Sequence, residues 1–286
     1  MFECKYCGFN EFKQIYTDLP DRFTQHEGNF DYVECKKCKL VQIREIPLNL
    51  TEFYLGYALH RQKSELYDFF RVLIAGHCYP LIKSHGGTLL DIGCGNGWYL
   101  KQMAKKGWKT FGYEFEKEYA EKLSFQLNMT VLSREDSLKE YPEYFDLITF
   151  NSSFEHLPNP TKMLELACRA LKNGGKIFIS VPNIRSKEAR LFGKKWVHLD
   201  PPRHICLFDK QQLADLLTRF GFQEIRIKNF LIPSGFSGSI VYLFWGSFKP
   251  WLWYITIPFG ILFSLFIRDG YFSSSAVKAD PIQKKP

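Results

Sequence analysis

Cys4-Lys5-Tyr6-Cys7-Gly8 and Cys35-Lys36-Lys37-Cys38-Lys39 are the two stretches whose residue types and spacing most narrowly define a chemistry. Two residues between cysteines set both sulfurs on one tetrahedral ion, and Gly8 relieves the turn after the first pair. Together Cys4, Cys7, Cys35 and Cys38 make a closed four-thiolate zinc site, the structural type with no position open for catalysis. The 27 residues between the pairs exceed the usual ribbon spacing, so an enlarged loop carrying Asp18-Leu19-Pro20-Asp21 and Gly28-Asn29 is expected. A redox dithiol is the lesser alternative, and a catalytic zinc would need a further kind of ligand that the spacing does not prescribe.

A second chemistry is written in Leu89-Leu90-Asp91-Ile92-Gly93-Cys94-Gly95-Asn96-Gly97-Trp98. An apolar run ends on an acid, breaks into glycines at alternate positions and resumes as a helical stretch. Glycines there remove the Cβ atoms that hold a ligand off the backbone, and the new helix aims free amides and a partial positive charge at whatever lies above the turn. The spacing is Gly-x-Gly-x-Gly, not the Gly-x-Gly-x-x-Gly of a dinucleotide fingerprint. A third concentration of polar chemistry is Trp196-Val197-His198-Leu199-Asp200-Pro201-Pro202-Arg203-His204, in which a rigid proline pair sits beside an arginine and two histidines.

These residues need a scaffold, and the sequence from 86 to 230 alternates strand and helix signals. Strands are expected over 88–92, 108–113, 129–132, 145–150, 176–181 and 222–230. Helices are expected over 98–106, 117–128, 160–171 and 211–220, the last capped by Asp209 and ended by Gly221. Repeated strand–helix units imply an α/β fold, a doubly wound, mostly parallel sheet with helices on both faces. Residues 1–46 form the zinc ribbon. Residues 47–85 read as a helical connector with a partly amphipathic stripe of Tyr54, Tyr57, Leu66, Phe69, Phe70, Leu73 and Ile74.

Over residues 86–230 the chain resembles the class I S-adenosylmethionine (SAM) methyltransferases at several motifs in order. Besides Asp91 and Gly93 to Gly97, these are Glu114, 17 residues after Gly97; Phe145-Asp146-Leu147-Ile148 with Asn151-Ser152-Ser153-Phe154-Glu155-His156-Leu157; and Leu171-Lys172-Asn173-Gly174-Gly175-Lys176. The resemblance implies a seven-stranded sheet with SAM across its carboxyl edge. The methionine part would lie on Asp91, Gly93, Cys94, Gly95 and Gly97, the ribose hydroxyls on Glu114, the adenine amino group near Asp136, with Asn151 at the end of the fourth strand. A methyltransferase fold without activity is the alternative.

Methyl transfer from a sulfonium is an in-line displacement, so holding nucleophile against methyl supplies most of the acceleration, and a base is needed only for an acceptor that keeps its proton. The candidates above the strand ends are His156, His198 and His204, with Arg203 for a substrate phosphate or carboxylate and Glu155 beside the substrate. Enzymes of this fold that methylate nucleic-acid amino groups carry Asn/Asp-Pro-Pro-aromatic after the fourth strand. Here that position reads Asn151-Ser152-Ser153-Phe154, and no stacking platform surrounds the basic residues of the ribbon, so nucleic acid takes second rank.

With 38 basic against 30 acidic side chains the net charge of +8 favours anionic partners without choosing among them. Residues 231–267 carry a single charge, Lys249, between two apolar runs, Ser239 to Phe248 and Trp251 to Ile267. Beyond them, residues 270–279 read as a seventh strand, antiparallel beside the sixth, so the apolar segment is an insertion within one sheet. Both its ends must return to the same domain, which excludes a single membrane crossing. A membrane-dipping hairpin is the leading expectation, supported by Trp251, Trp253 and Tyr254 at the turn; a protein interface, including a homodimer, and a pocket lid are the alternatives. Met1-Phe2-Glu3-Cys4 shows no signal peptide, so a cytoplasmic enzyme peripheral or monotopic on the membrane face is expected. Its substrate would be a lipid, lipid-linked sugar or cell-envelope intermediate. A soluble sugar-nucleotide or small-metabolite methyltransferase and a non-catalytic SAM-fold adaptor stand as the alternatives.

Overall fold

The computed structural model describes residues 2–55 and 86–279. Most of the expected connector, with Tyr57, Leu66, Phe69, Phe70, Leu73 and Ile74, lies outside those residues; within them Leu50–Tyr54 makes a turn of 3-10 helix. In chain order the ribbon contributes strands β1 (Phe12–Pro20), β2 (Asn29–Cys35) and β3 (Val41–Ile43). The larger part follows as β4 (Gly87–Ile92), α1 (Trp98–Ala104), β5 (Trp108–Tyr113), α2 (Lys117–Leu127), β6 (Thr130–Leu132), β7 (Phe145–Asn151), α3 (Pro160–Ala170) and β8 (Leu171–Pro182). It continues through α4 (Lys187–Phe192), β9 (Cys206–Leu207), α5 (Lys210–Arg219), β10 (Phe222–Phe230), α6 (Pro233–Trp245), α7 (Pro250–Phe266) and β11 (Tyr271–Lys278).

The main sheet has seven strands in the order β10-β11-β8-β7-β4-β5-β6, the Rossmann-like arrangement expected of a methyltransferase. The β4–β5, β5–β6, β4–β7 and β7–β8 pairs are parallel, and β11 runs antiparallel to both β8 and β10. Fully buried Leu89, Leu90, Ile148, Phe150, Ile177 and Ile179 make the central strands apolar on both faces, as a sheet covered by helices requires. The helix ends follow local chemistry. Asp209 caps α5 in a capping box with Gln212, Asn159 caps α3 ahead of Pro160, and Glu116 accepts the amides of Glu118 and Tyr119 at the start of α2.

The strand expected from 176 begins earlier, at Leu171: Leu171 pairs with Phe145 and Lys176 with Leu147, so Asn173-Gly174-Gly175 falls in an irregular stretch within β8.

The ribbon is not a detached module. Its sheet runs β1-β2-β3-β9, so its fourth strand is lent by the loop after β8, with Val41 opposite Leu207 and Gln42 opposite Cys206. Buried Tyr32 donates its hydroxyl proton among the carbonyls of Leu199 and His204, each 2.6 Å away, and Gln212 Nε2 donates to the Cys38 carbonyl. Both layers share one core that runs from Tyr32, Leu40 and Val41 to Leu90, Ile148 and Phe208.

The apolar insertion forms the helical hairpin α6–α7. Tyr271 opens β11 opposite both Phe230, the last residue of β10, and Pro182, the last of β8. The hairpin therefore leaves and re-enters the sheet at its carboxyl edge.

Candidate functional site

Above that edge lies a cleft of about 300 Å³, lined among others by Asp91, Gly93, Cys94, Gly95, Tyr113, Glu114, Asn151 and His156. Its floor is the turn from β4 to α1. Gly93, Gly95 and Gly97 all have positive φ, at 76°, 53° and 70°. At Gly93 a Cβ would overlap the side chain of Ser153, and at Gly97 that of Leu127, while the place of a Cβ on Gly95 is open. The Cys94 sulfur fills the space over Gly112 and the residue is buried.

Acids frame this turn. Asp91 is buried and accepts from Thr149 Oγ1 at 2.7 Å and from Asn151 Nδ2 at 2.9 Å. The Asn151 amide oxygen is buried without a partner among the described residues. Glu114, at the end of β5, accepts the amides of Gly95 and Phe115, each at 3.1 Å. Burial pushes its carboxyl up to about 7, against the pull of those two amides. Glu135 lines the cleft, whereas Asp136, the residue expected near the adenine, points its carboxylate at Lys139 Nζ 2.7 Å away and lies outside it. The two acids stand side by side on one 3-10 turn, Glu135–Glu140, and project in different directions.

The opposite wall is built by the loop after β7, backed by the loop between α4 and β9. His156 lines the cleft, with its Nδ1 3.0 Å from the Arg203 carbonyl and 3.0 Å from the Tyr54 hydroxyl. Since a carbonyl only accepts, Nδ1 carries the proton and Nε2 keeps its lone pair. His204 stacks edge-on against His156 with ring centres 4.6 Å apart and gives its own Nδ1 proton to the His198 carbonyl at 2.7 Å. Burial, aided by the neighbouring His204, holds His156 well below the usual histidine range; burial likewise lowers His204 and brings His198 down to about 3. All three rings are neutral at pH 7.

Glu155 lies buried behind this wall. Tyr271 Oη approaches its Oε1 at 3.3 Å and also bonds Ser152 Oγ, and burial drives its carboxyl up to about 8. His198 is on the far side, against Trp196, Tyr271 and the root of α6 at Gly235, and does not line the cleft.

The expectation that Arg203 grips a substrate anion is corrected. Its guanidinium is fully buried and each N–H has a protein acceptor: Nε and Nη2 bond Asp200 at 3.0 and 2.5 Å, Nη2 bonds Asp21 at 2.8 Å, and Nη1 bonds Thr24 Oγ1 and the Phe53 carbonyl at 3.1 and 3.0 Å. Arg203 is the bolt between ribbon and sheet, and its carbonyl sets the tautomer of His156. The Tyr54, Tyr271 and Ser152 contacts to this wall were not anticipated from sequence; of these only Tyr54, an aromatic of the connector, carried a signal.

In the ribbon, Cys4 Sγ lies 3.4 Å from Cys38 Sγ and Cys7 Sγ 3.6 Å from Cys35 Sγ. All four sulfurs fall within 4.8 Å of one another. A tetrahedral zinc with Zn–S near 2.3 Å sets sulfurs roughly 3.8 Å apart, so the cluster has the size the ion needs.

The fold and the glycine cleft are those of a class I methyltransferase domain, and the chain belongs to that family: a family described as a methyltransferase domain matches residues 60–226. Among similar proteins, the ubiquinone biosynthesis O-methyltransferase of Idiomarina loihiensis is 30% identical over 170 residues, 54% of this chain and 69% of that protein. The enzyme of the same name from Xanthomonas oryzae pv. oryzae is 33% identical over 105 residues, 34% of this chain but 44% of that protein, so the chain spans under half of that relative's length. In fold it is similar to a SAM-dependent methyltransferase from Archaeoglobus fulgidus, with TM-score 0.53 and 19% identity over 79% of this chain and 99% of that one. A Haemonchus contortus phosphoethanolamine N-methyltransferase 2 aligns with TM-score 0.52 and 17% identity over 84% of this chain and 62% of that one.

Proposed function

We propose that the protein is a SAM-dependent O-methyltransferase that works at a membrane surface on a lipid, a lipid-linked sugar or a related envelope or quinone precursor. The observation that carries the membrane part is the inverted polarity of the α6–α7 hairpin. Its inner seam mixes small and polar groups with one stacked ring pair: Ser237 Oγ donates to the Thr256 carbonyl, Gly260 packs on Ser237 and Pro233, and Phe236 stacks on Phe263 at 4.0 Å. Large apolar side chains face outward, with Trp251, Tyr254, Phe259, Leu262 and Phe266 each at least 57% exposed. A helix meant for water has the opposite arrangement. Among the described residues no helix is long and apolar enough to span a bilayer, so the hairpin would lie in one leaflet. Lys249, Arg190, Lys194 and Arg268, on or next to elements of the hairpin, suit anionic headgroups.

The cleft residues fit the cofactor. Asp91 and the free oxygen of Asn151 would take the ammonium of the methionine part, the glycine turn its backbone, and the remaining lone pairs of Glu114 the ribose hydroxyls. SAM supplies an electrophilic methyl group when bound. Glu135, which also pairs with Lys162 Nζ at 2.6 Å, and Phe115 line the cleft, and we assign the adenine role to Glu135 in place of Asp136. His156, which lines the cleft with its Nε2 lone pair kept and has His204 behind it, would handle the acceptor's proton; His198 has no direct part. The four cysteines would hold a structural zinc that keeps the ribbon, and through it the His204 loop, in place.

Two outcomes follow for the site. Glu114 must be ionised to accept from two hydroxyls, and its folded value is raised to about 7, so affinity for S-adenosylhomocysteine rises as pH climbs from 6 to 8. Titration calorimetry at the two pH values checks this, and in Glu114→Gln both the affinity and its pH slope fall, the affinity on the order of 100-fold for two lost charge-assisted bonds. His156→Asn lowers kcat on the order of 100-fold with little change in SAM affinity, the size expected for losing a proton acceptor. The reading as a whole is tested by incubating the full chain with methyl-labelled SAM and either lipid or aqueous extracts: label enters the lipid extract, and label confined to aqueous products would overturn the membrane substrate.

A further inference from the structure

The wall opposite the glycine turn has a peculiarity that proton transfer does not use. His156 and His204 both spend their Nδ1 protons on backbone carbonyls, of Arg203 and His198, which leaves an Nε2 lone pair on each ring. Glu155 brings a carboxylate to the same place, with Oε1 4.0 Å from His204 Nε2 and Oε2 buried without a partner among the described residues. One ligand atom from each of the three lies within 4.8 Å of the others. Three lone-pair donors converge here. Histidines whose second nitrogen is fixed by a carbonyl are the usual outer-shell arrangement of metal ligands, and two histidines with one carboxylate leave coordination positions open.

We propose that Glu155, His156 and His204 bind a divalent transition-metal cation such as Mn²⁺ or Zn²⁺ just behind His156 in the cleft wall, separate from the four-cysteine site. The inference rests on the methyltransferase reading for its use, and with the cation bound it replaces direct proton transfer to His156, whose Nε2 lone pair is then a ligand. An acceptor hydroxyl that reaches an open position of the cation past His156, the ligand that lines the cleft, loses its proton to water at neutral pH. The resulting oxyanion then forms the O–C bond as the C–S bond of SAM breaks, the electron pair stays on sulfur, and a neutral thioether and a methyl ether result. Ser152 and Tyr271, which bond each other beside Glu155, close the site on the side of β11.

The test is equilibrium dialysis of the full chain against Co²⁺, with metal content and visible spectrum read together. Two equivalents are expected: one with the intense thiolate-to-cobalt bands of the ribbon, a second with only the weak bands of nitrogen and oxygen ligands. The second is lost in Glu155→Gln and in His204→Asn and kept in Cys7→Ser. A single equivalent in the wild type, or a second one that survives both substitutions, overturns the proposal. In case either variant misfolds, Mn²⁺ added to the wild-type protein must broaden the bound methyl resonance of ¹³C-methyl SAM, and an unaffected line rejects the site. Should SAM bind and be turned over with only the thiolate cobalt present, the cation fails while the methyltransferase reading stands. Absence of SAM binding with two cobalt equivalents intact gives the converse.

Discussion

Arg203→Leu is expected to destabilise the protein by about 3–5 kcal/mol at neutral pH, the cost of leaving buried carboxylates without their counter-charge. Both Asp21, in the ribbon's enlarged loop, and Asp200 are buried, and the guanidinium is bonded to each. Burial alone would raise the Asp21 carboxyl; the hydrogen bonds and charge of Arg203 outweigh it and hold the group at about 2. A carboxylate depressed in the fold stabilises it above its unfolded value of 3.8, and that contribution is lost as pH falls toward 2. In the variant the two acids instead favour their protonated forms. Its deficit, measured by denaturant unfolding, is therefore largest near pH 7 and shrinks toward pH 4. A deficit under 1 kcal/mol, or one independent of pH, contradicts the picture of Arg203 as a structural bolt. Because the Arg203 carbonyl also holds His156, the variant loses kcat more than SAM affinity.

Replacing Trp251, Phe259, Leu262 and Phe266 together by Ser or Gln is expected to cut binding to vesicles by roughly 100-fold to 10,000-fold. Full burial of a large apolar side chain is worth about 1.5–3 kcal/mol, so half-burial of four in an interface gives roughly 3–6 kcal/mol. The fold withstands the change, since these side chains touch little of the protein: Trp251, Phe259, Leu262 and Phe266 are 62%, 64%, 57% and 80% exposed. The seam residues are different. Gly260→Leu would drive a side chain into Ser237 and the Pro233 carbonyl and open the hairpin. Flotation with vesicles containing anionic lipid, beside the unfolding midpoint of each variant, separates the two cases. Unchanged flotation of the fourfold variant rejects the hairpin as the membrane contact and turns attention to a second copy of the chain as its cover.

Much of the sheet was legible because its strands are dense apolar runs ended by glycine, proline or an acid. Trp108–Tyr113 and Phe222–Phe230 fall where the pattern places them. Less visible were elements whose existence depends on a distant partner. Cys206–Leu207 is two residues long and is a strand only because Val41 and Gln42 lie opposite. The six residues of Lys187–Phe192 are too few for a helical period. In the site, the glycines, Asp91 and Glu114 are written locally, since one short turn must bring them together. Arg203 was legible as a strong anion-binding group, but its anion, Asp21, is 182 positions away. Asp136 and Glu135 differ only in the direction each takes from a short turn, which residue type does not record. The pairing of His156 with His204 likewise depends on how the loop before β9 is folded back by the ribbon.

The central claim is that one SAM molecule lies across the carboxyl edge of the sheet, between the Gly93–Gly97 turn and Glu114. Calorimetric titration of the full chain with S-adenosylhomocysteine at pH 8 tests it most directly. One equivalent should bind with measurable heat in the wild-type protein, and that heat should be lost when Gly95→Asp places a carboxylate in the open space above the turn. No heat with the wild-type protein, or binding that is indifferent to Gly95→Asp and Glu114→Gln alike, would contradict it.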